Sequence, residues 1–213
     1  PLGGVAGWSE VYMNASLESY LKGYNDPRIK SYFNLAQDGR DKEGNIIKEV
    51  AGVKQLNSIE GEYKGVRQGT GVADNRYSTH SQTAITTGSK IIVMSAAEVW
   101  FLRAEAALRN YTSENVENCY KQGITVSFAQ WDASGVSEYL ESEETPAAYV
   151  DAFDKKFDAD APTSITPKWD ESAPLELKLE RIITQKWLAI YPEGCEAWAE
   201  QRRTGYPRLI KVA

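Results

Sequence analysis

The residues able to carry acid–base or nucleophilic chemistry are few and poorly placed for it. His80 is the only histidine, and it lies in a glycine- and serine-containing stretch. A Ser-His-Asp system would have to be built on that residue, and a histidine-rich metal centre is ruled out. Asp and Glu number 30, so carboxylate pairs at glycosidase-like separations arise by chance, and none stands in a context that would raise its pKa. Two carboxylates stand out. Glu105 lies inside an Ala-rich apolar run, and Glu180 with Arg181 adjoins Ile182-Ile183. Catalysis is one reading of them. Inter-helix ion pairing, or a hydrogen bond to a neighbouring helix end, is the reading adopted, because carboxylates on apolar helices are normally paired. Gly69-Thr-Gly71 lacks the third glycine and the strand–helix context of a nucleotide fingerprint, and Asp38 to Gly44 does not follow calcium-loop spacing. Cys119 and Cys195 are far apart with no Cys-x-x-Cys, so both read as buried free thiols. No cofactor or metal is expected. What remains is aromatic surface, with 6 Trp and 12 Tyr. Most of these rings should pack in the core. An exposed ring face suits a sugar, whose C–H face is apolar and whose edge is polar.

The 213 residues suffice for one well-buried core or a compact pair of lobes, and a net charge of -6 argues against nucleic acid. No apolar run is long enough to span a bilayer. The start, Pro1-Leu-Gly-Gly, has neither an initiator Met nor a signal peptide, which suggests a processed or trimmed chain. Residues 9–24 read as a helix with Met13, Leu17, Tyr20, Leu21 and Tyr24 on one face, stopped by Asn25-Asp-Pro27. Pro27 can then sit in the first turn of a second helix carrying Ile29, Tyr32 and Phe33. Residues 37–94 are broken by seven glycines between Gly39 and Gly71 and read as a loop-rich insertion with at most a small hairpin near Ile46-Ile47.

From residue 95 the pattern is helical. Ser95-Ala-Ala-Glu98 is a capping box opening a helix to about Arg109 that is apolar on almost every side. A partner helix runs to about Trp131, and Gly123 within it calls for close approach of a neighbour. The pair resembles one tetratricopeptide-like repeat. Thr145-Pro146 suggests a short helix to about Phe157, followed by a proline-containing loop from Asp158 to Pro174. A long helix from Pro174 carries Leu175, Leu179, Ile182, Ile183, Trp187 and Ile190, and Pro192 ends it. A last helix, about residues 193–203, closes on a left-handed cap at Gly205, with Arg202 and Arg203 favouring its dipole.

Four segments in order carry a family resemblance. They are Ser95-Ala-Ala-Glu-Val-Trp-Phe-Leu-Arg-Ala-Glu-Ala-Ala-Leu108, Tyr120-Lys-Gln-Gly-Ile-Thr-Val-Ser-Phe128, Glu180-Arg-Ile-Ile-Thr-Gln-Lys-Trp-Leu188, and Glu196-Ala-Trp198 with Arg202-Arg-Thr-Gly205. Together with residues 20–28 and 61–67 they resemble the SusD/RagB outer-membrane lipoproteins. The resemblance implies a mainly α, SusD-like helical superhelix with tetratricopeptide-like pairs, here as a single domain over 1–213 with the insertion at 37–94 and the helical body at 95–213. It also implies a non-catalytic, surface-exposed subunit at the cell outer membrane that binds an oligosaccharide or other small nutrient and partners a TonB-dependent transporter. The chain departs from the family in length: it corresponds to the C-terminal portion, without the lipid-attachment cysteine, so a membrane association would run through an anchor that this chain lacks.

The family's ligand residues follow no motif, so candidates come from chemistry. Tyr63, Arg67, Arg76 and Tyr77 lie in the insertion, where loops can present rings and donors. Trp131 ends a helix, and Trp169 lies in the proline-containing loop. The expected function is glycan binding by ring stacking and hydrogen bonds. A helical protein-interaction module and an α-helical glycosidase stay open as alternatives.

Overall fold

The computed structural model describes residues 11–71 and 76–213, and the chain is mainly helical. Helix α1, Ala15–Gly23, begins later than expected, with the Asn14 carboxamide accepting from the Leu17 N–H. Residues 9 and 10 of the expected helix lie outside the described residues. The residues just before Ala15 are extended instead, because they find partners in the insertion: the Met13 N–H donates to Ser81 O at 2.8 Å and the Ala15 N–H to Val66 O at 2.9 Å. Helix α2, Ile29–Tyr32, is a single turn. It is pinned from below by Arg28, which pairs with Asp26 at 2.5 Å and donates to Ser127 Oγ at 2.8 Å, both charged side chains being fully buried.

The insertion contains one hairpin, β1 (Glu49–Val50) and β2 (Val53–Lys54), paired antiparallel. Ala51 (φ 49°) and Gly52 (φ 75°) supply the left-handed pair that a two-residue hairpin turn needs. The insertion's apolar residues Ala36, Ile59 and Tyr77 meet Ala152 and Phe153 in a second, smaller core.

The helical pair expected from the sequence is α3 (Ala96–Leu108) with α4 (Val116–Gln130). Ser95 Oγ caps α3 by accepting from the Glu98 N–H, but the Glu98 carboxylate faces Lys186 at 3.8 Å rather than turning back to close the box. Close approach at Gly123 is real: a Cβ there would lie 2.8 Å from the Phe101 ring. Helix α5, Val136–Leu140, is an addition the sequence reading lacked.

The helix expected from Thr145 to Phe157 does not form. Only a 3₁₀ turn, Lys155–Phe157, is present, and Tyr149 pairs antiparallel with Ala159. The reason is tertiary. The Ala147 N–H donates to Ser19 O, Ser19 Oγ donates back to Ala147 O, and the Asp151 carboxylate accepts from the N–H groups of Phe153 and Asp154. Backbone groups satisfied this way gain nothing from a helix.

Helix α6 (Leu175–Ala189) buries Leu179, Ile182 and Ile183 as expected, while Leu175 is exposed. Its middle is buried all round, so Lys186 must find partners, and it pairs with Glu196 at 2.8 Å and Glu200 at 3.5 Å of helix α7 (Gly194–Thr204). Gly205 caps α7 in the left-handed region, φ 79°. Cys119 is buried, whereas Cys195, on the outer face of α7, is exposed, contrary to expectation.

Candidate functional site

The carboxylates singled out in the sequence belong to the framework. Glu105 on α3 takes both guanidinium nitrogens of Arg203 at 2.6 Å and Arg109 Nε at 2.8 Å. Burial pushes this carboxyl up, and the two arginines more than offset that, holding it below the usual range. Arg203 thus ties α7 to α3 rather than only complementing a helix end. Glu180 accepts from Thr163 Oγ1 at 2.6 Å and pairs with Arg208 at 3.3 Å. Among the described residues, no group of three His, Cys, Asp or Glu side chains is arranged to hold a metal ion.

The structure distributes the sequence-predicted binding residues over separate places. Arg67 donates to the carbonyls of Phe157 (3.1 Å), Asp158 (2.9 Å) and Lys211 (3.1 Å), so its donors face backbone. Tyr77 is buried, with its hydroxyl 3.2 Å from the Asp151 carboxylate. Burial and that neighbouring charge push the phenol up. Arg76 is half-buried, and its charge acts on Tyr77 and Asp154. Tyr63 is half-buried against the main core. Trp169 is buried, its ring 5.1 Å from Tyr120 and its Nε1 donating to Glu171 at 2.8 Å.

Trp131 differs from all of these, because it lines a cleft of about 730 Å³. Four stretches of chain meet there: Ser31 of α2, residues 84–92 of the insertion, Gln130-Trp131 at the end of α4, and Pro192-Glu193 between α6 and α7. The volume is that of a small-molecule site. Trp131 is held firmly. Its backbone N–H caps α4, its carbonyl accepts from Ser31 Oγ at 3.0 Å, and its ring lies edge-on to Tyr32 with centroids 4.8 Å apart. Tyr32 in turn stacks on Tyr191 at 4.6 Å, and the Tyr191 hydroxyl bonds Thr83 Oγ1 at 2.7 Å. Burial pushes the Tyr191 phenol up to about 12, so it stays neutral. The indole Nε1 of Trp131 is buried and has no hydrogen-bond partner among the described residues. Any part of the ring that reaches the cleft is therefore carbon.

The insertion contributes Ile85, Ile91 and Ile92 to the lining, with Thr86, Thr87, Ser89 and Lys90 between them in sequence. These lining residues were missed in the sequence reading. The signal was there: Ile91-Ile92-Val93-Met94 is an apolar run in a glycine-rich loop, and Ile91 is 78% exposed. Glu193 is the one carboxylate among the described lining residues, so no pair of carboxylates lines the cleft there.

A family model described as SusD-like, of SusD and RagB outer membrane lipoproteins, matches residues 3–213. Among solved structures, a SusD homologue from Bacteroides vulgatus is 43% identical, with a TM-score of 0.84 over 100% of this chain and 41% of its own. A chitin-binding SusD homologue from Flavobacterium johnsoniae is 39% identical, with a TM-score of 0.81 over 96% of this chain and 39% of its own. A SusD homologue from Bacteroides thetaiotaomicron is 34% identical, with a TM-score of 0.79 over 94% of this chain and 39% of its own. The chain therefore spans about two fifths of the length of the relatives it matches. No curated protein matches it.

Proposed function

The chain belongs to the SusD/RagB family of outer membrane lipoproteins, and from that premise we propose that it forms part of a non-catalytic nutrient-binding protein whose ligand is a glycan seated in the Trp131 cleft. One observation carries the reading. Trp131, its ring packed edge-on against Tyr32, lines a cleft of small-molecule size whose lining also bears hydroxyl, amide and ammonium groups. That is the pairing of apolar face and polar edge that a sugar ring requires. The chitin-binding relative supports glycan as the ligand class. The family supports partnership with a TonB-dependent transporter, to which the bound nutrient would be delivered.

A glycan array and affinity electrophoresis with the chain test the first part. Binding to one or more glycans is expected, and Trp131→Ala should weaken it about tenfold, since losing about 50–60 Å² of apolar contact costs about 1.4 kcal/mol. Trp169→Phe, at a ring buried away from the cleft, should leave affinity unchanged. Silence across the array would sink the reading. Co-purification of the intact parent with a large outer-membrane β-barrel, absent from a strain lacking that barrel, tests the second part.

A further inference from the structure

Resting on the cleft reading above, we infer that the Trp131 cleft selects sugars that carry acetyl groups. An unmodified hexose presents a hydroxyl at nearly every ring carbon, and each one buried without a partner weakens binding. Such a ligand needs a wall dense in polar side chains. Polar side chains are present here (Thr86, Thr87, Ser89, Lys90, Gln130), but most of the exposed lining surface is apolar. Ile85, Ile91, Ile92 and Pro192 line the cleft beside Trp131, whose indole N–H is buried. The polar groups are partly engaged already: Ser31 Oγ donates to Trp131 O, and Ser89 Oγ accepts from the Thr86 N–H. An acetyl substituent resolves the mismatch. Its methyl occupies aliphatic wall that a hydroxyl could not, and its carbonyl accepts from the Gln130 amide, a free threonine hydroxyl or the Lys90 ammonium. Lys90 and Glu193 carry opposite charges among the lining residues, which balance for a neutral ligand and give no excess for a uronate or a sulfated sugar. Both N-acetyl and O-acetyl groups have this chemistry.

The test is calorimetry on two matched pairs. The first is triacetylchitotriose against cellotriose, which share a backbone and differ at the C2 substituent. The second is acetylated xylo-oligosaccharide before and after alkaline deacetylation. At least one acetylated member should bind about tenfold tighter than its partner, the discrimination one small apolar group gives in such a pocket. The pair that shows it tells the amide source from the ester source. Ile91→Asn, at a side chain exposed enough to leave the fold intact, should erase the preference without shifting the melting temperature. Equal affinity within both pairs, or a preference that survives Ile91→Asn, would overturn the inference while leaving glycan binding in place. If all four are silent but the array shows other glycans bound, the inference again fails alone. Silence everywhere removes both.

Discussion

His80 is 2% exposed, edge-on to Tyr77 at 5.0 Å and stacked on Phe153 at 6.0 Å, so it behaves as a core ring rather than a catalytic base. Burial, aided by the Lys64 charge, lowers its pKa from 6.5 to about 3. The folded chain thus keeps the imidazole neutral, while the unfolded chain takes up a proton below about pH 6.5. This contribution to stability is complete above that value and is lost as pH falls toward 3, at about 1.4 kcal/mol per pH unit. His80→Phe should flatten the stability profile between about pH 6 and 5 relative to the parent in urea melts. Parallel profiles would mean that the imidazole is already charged in the fold. Glu105 obeys the same logic with a lowered carboxyl. Its ion pairs stabilise the fold above about pH 4.3, the unfolded value, and their contribution disappears as pH falls through the folded value. Because Arg203 and Arg109 are themselves partly exposed, Glu105→Gln should cost about 1–2 kcal/mol at neutral pH. The gap to the parent should close in acid, which denaturation at the two pH values measures.

Two glycines show how the elements are fastened. Gly123 faces the Phe101 ring, a side chain that can shift slightly, so Gly123→Ala sets about 1 kcal/mol of helix propensity against about 1–3 kcal/mol of overpacking. Gly23, the last residue of α1, faces backbone: a Cβ would lie 2.3 Å from Thr145 O and 2.4 Å from Ala147 N. Backbone cannot yield without undocking the segment, so Gly23→Ala should be the costlier change, about 3 kcal/mol in thermal or urea denaturation. A ranking in the other order would show that the 145–147 segment is loosely held. That segment also marks the limit of what sequence reveals. Helices α3, α4, α6 and α7 were legible because period, caps and stops all lie within each helix. Residues 145–157 carry a helix-start signal, but Ala147 near their start bonds to Ser19, more than 100 positions away, and no local pattern encodes that. The late start of α1 has the same cause, since Met13 and Ala15 bond to Ser81 and Val66. Of the candidate site, Trp131 was legible as a ring at a helix end. Tyr77 and Trp169 share its residue class, and only packing distinguishes their buried faces from its cleft-lining one.

At the scale of the molecule, the cleft exists only because the chain folds as it does: its walls come from positions 31, 84–92, 130–131 and 192–193. Occupying it would tie together stretches that unfolding separates, so a ligand specific for the folded cleft must raise global stability. At a concentration 100-fold above Kd the gain is about 2.7 kcal/mol, readable as a shift in melting temperature. Local protection gives a sharper test, because it reports where the ligand sits. Lys90 and Ile91 are both exposed and both line the cleft, which makes the peptide bond between them a trypsin site on its rim. A glycan bound against Trp131 would cover this bond, and cleavage after Lys90, followed by mass spectrometry, should slow in step with occupancy. Cleavage after Lys42, in the same insertion but away from the cleft, should change little. If a glycan raised the melting temperature while leaving cleavage after Lys90 unaltered, the ligand would sit elsewhere on the molecule, and the isoleucine wall would have to be explained by some other contact.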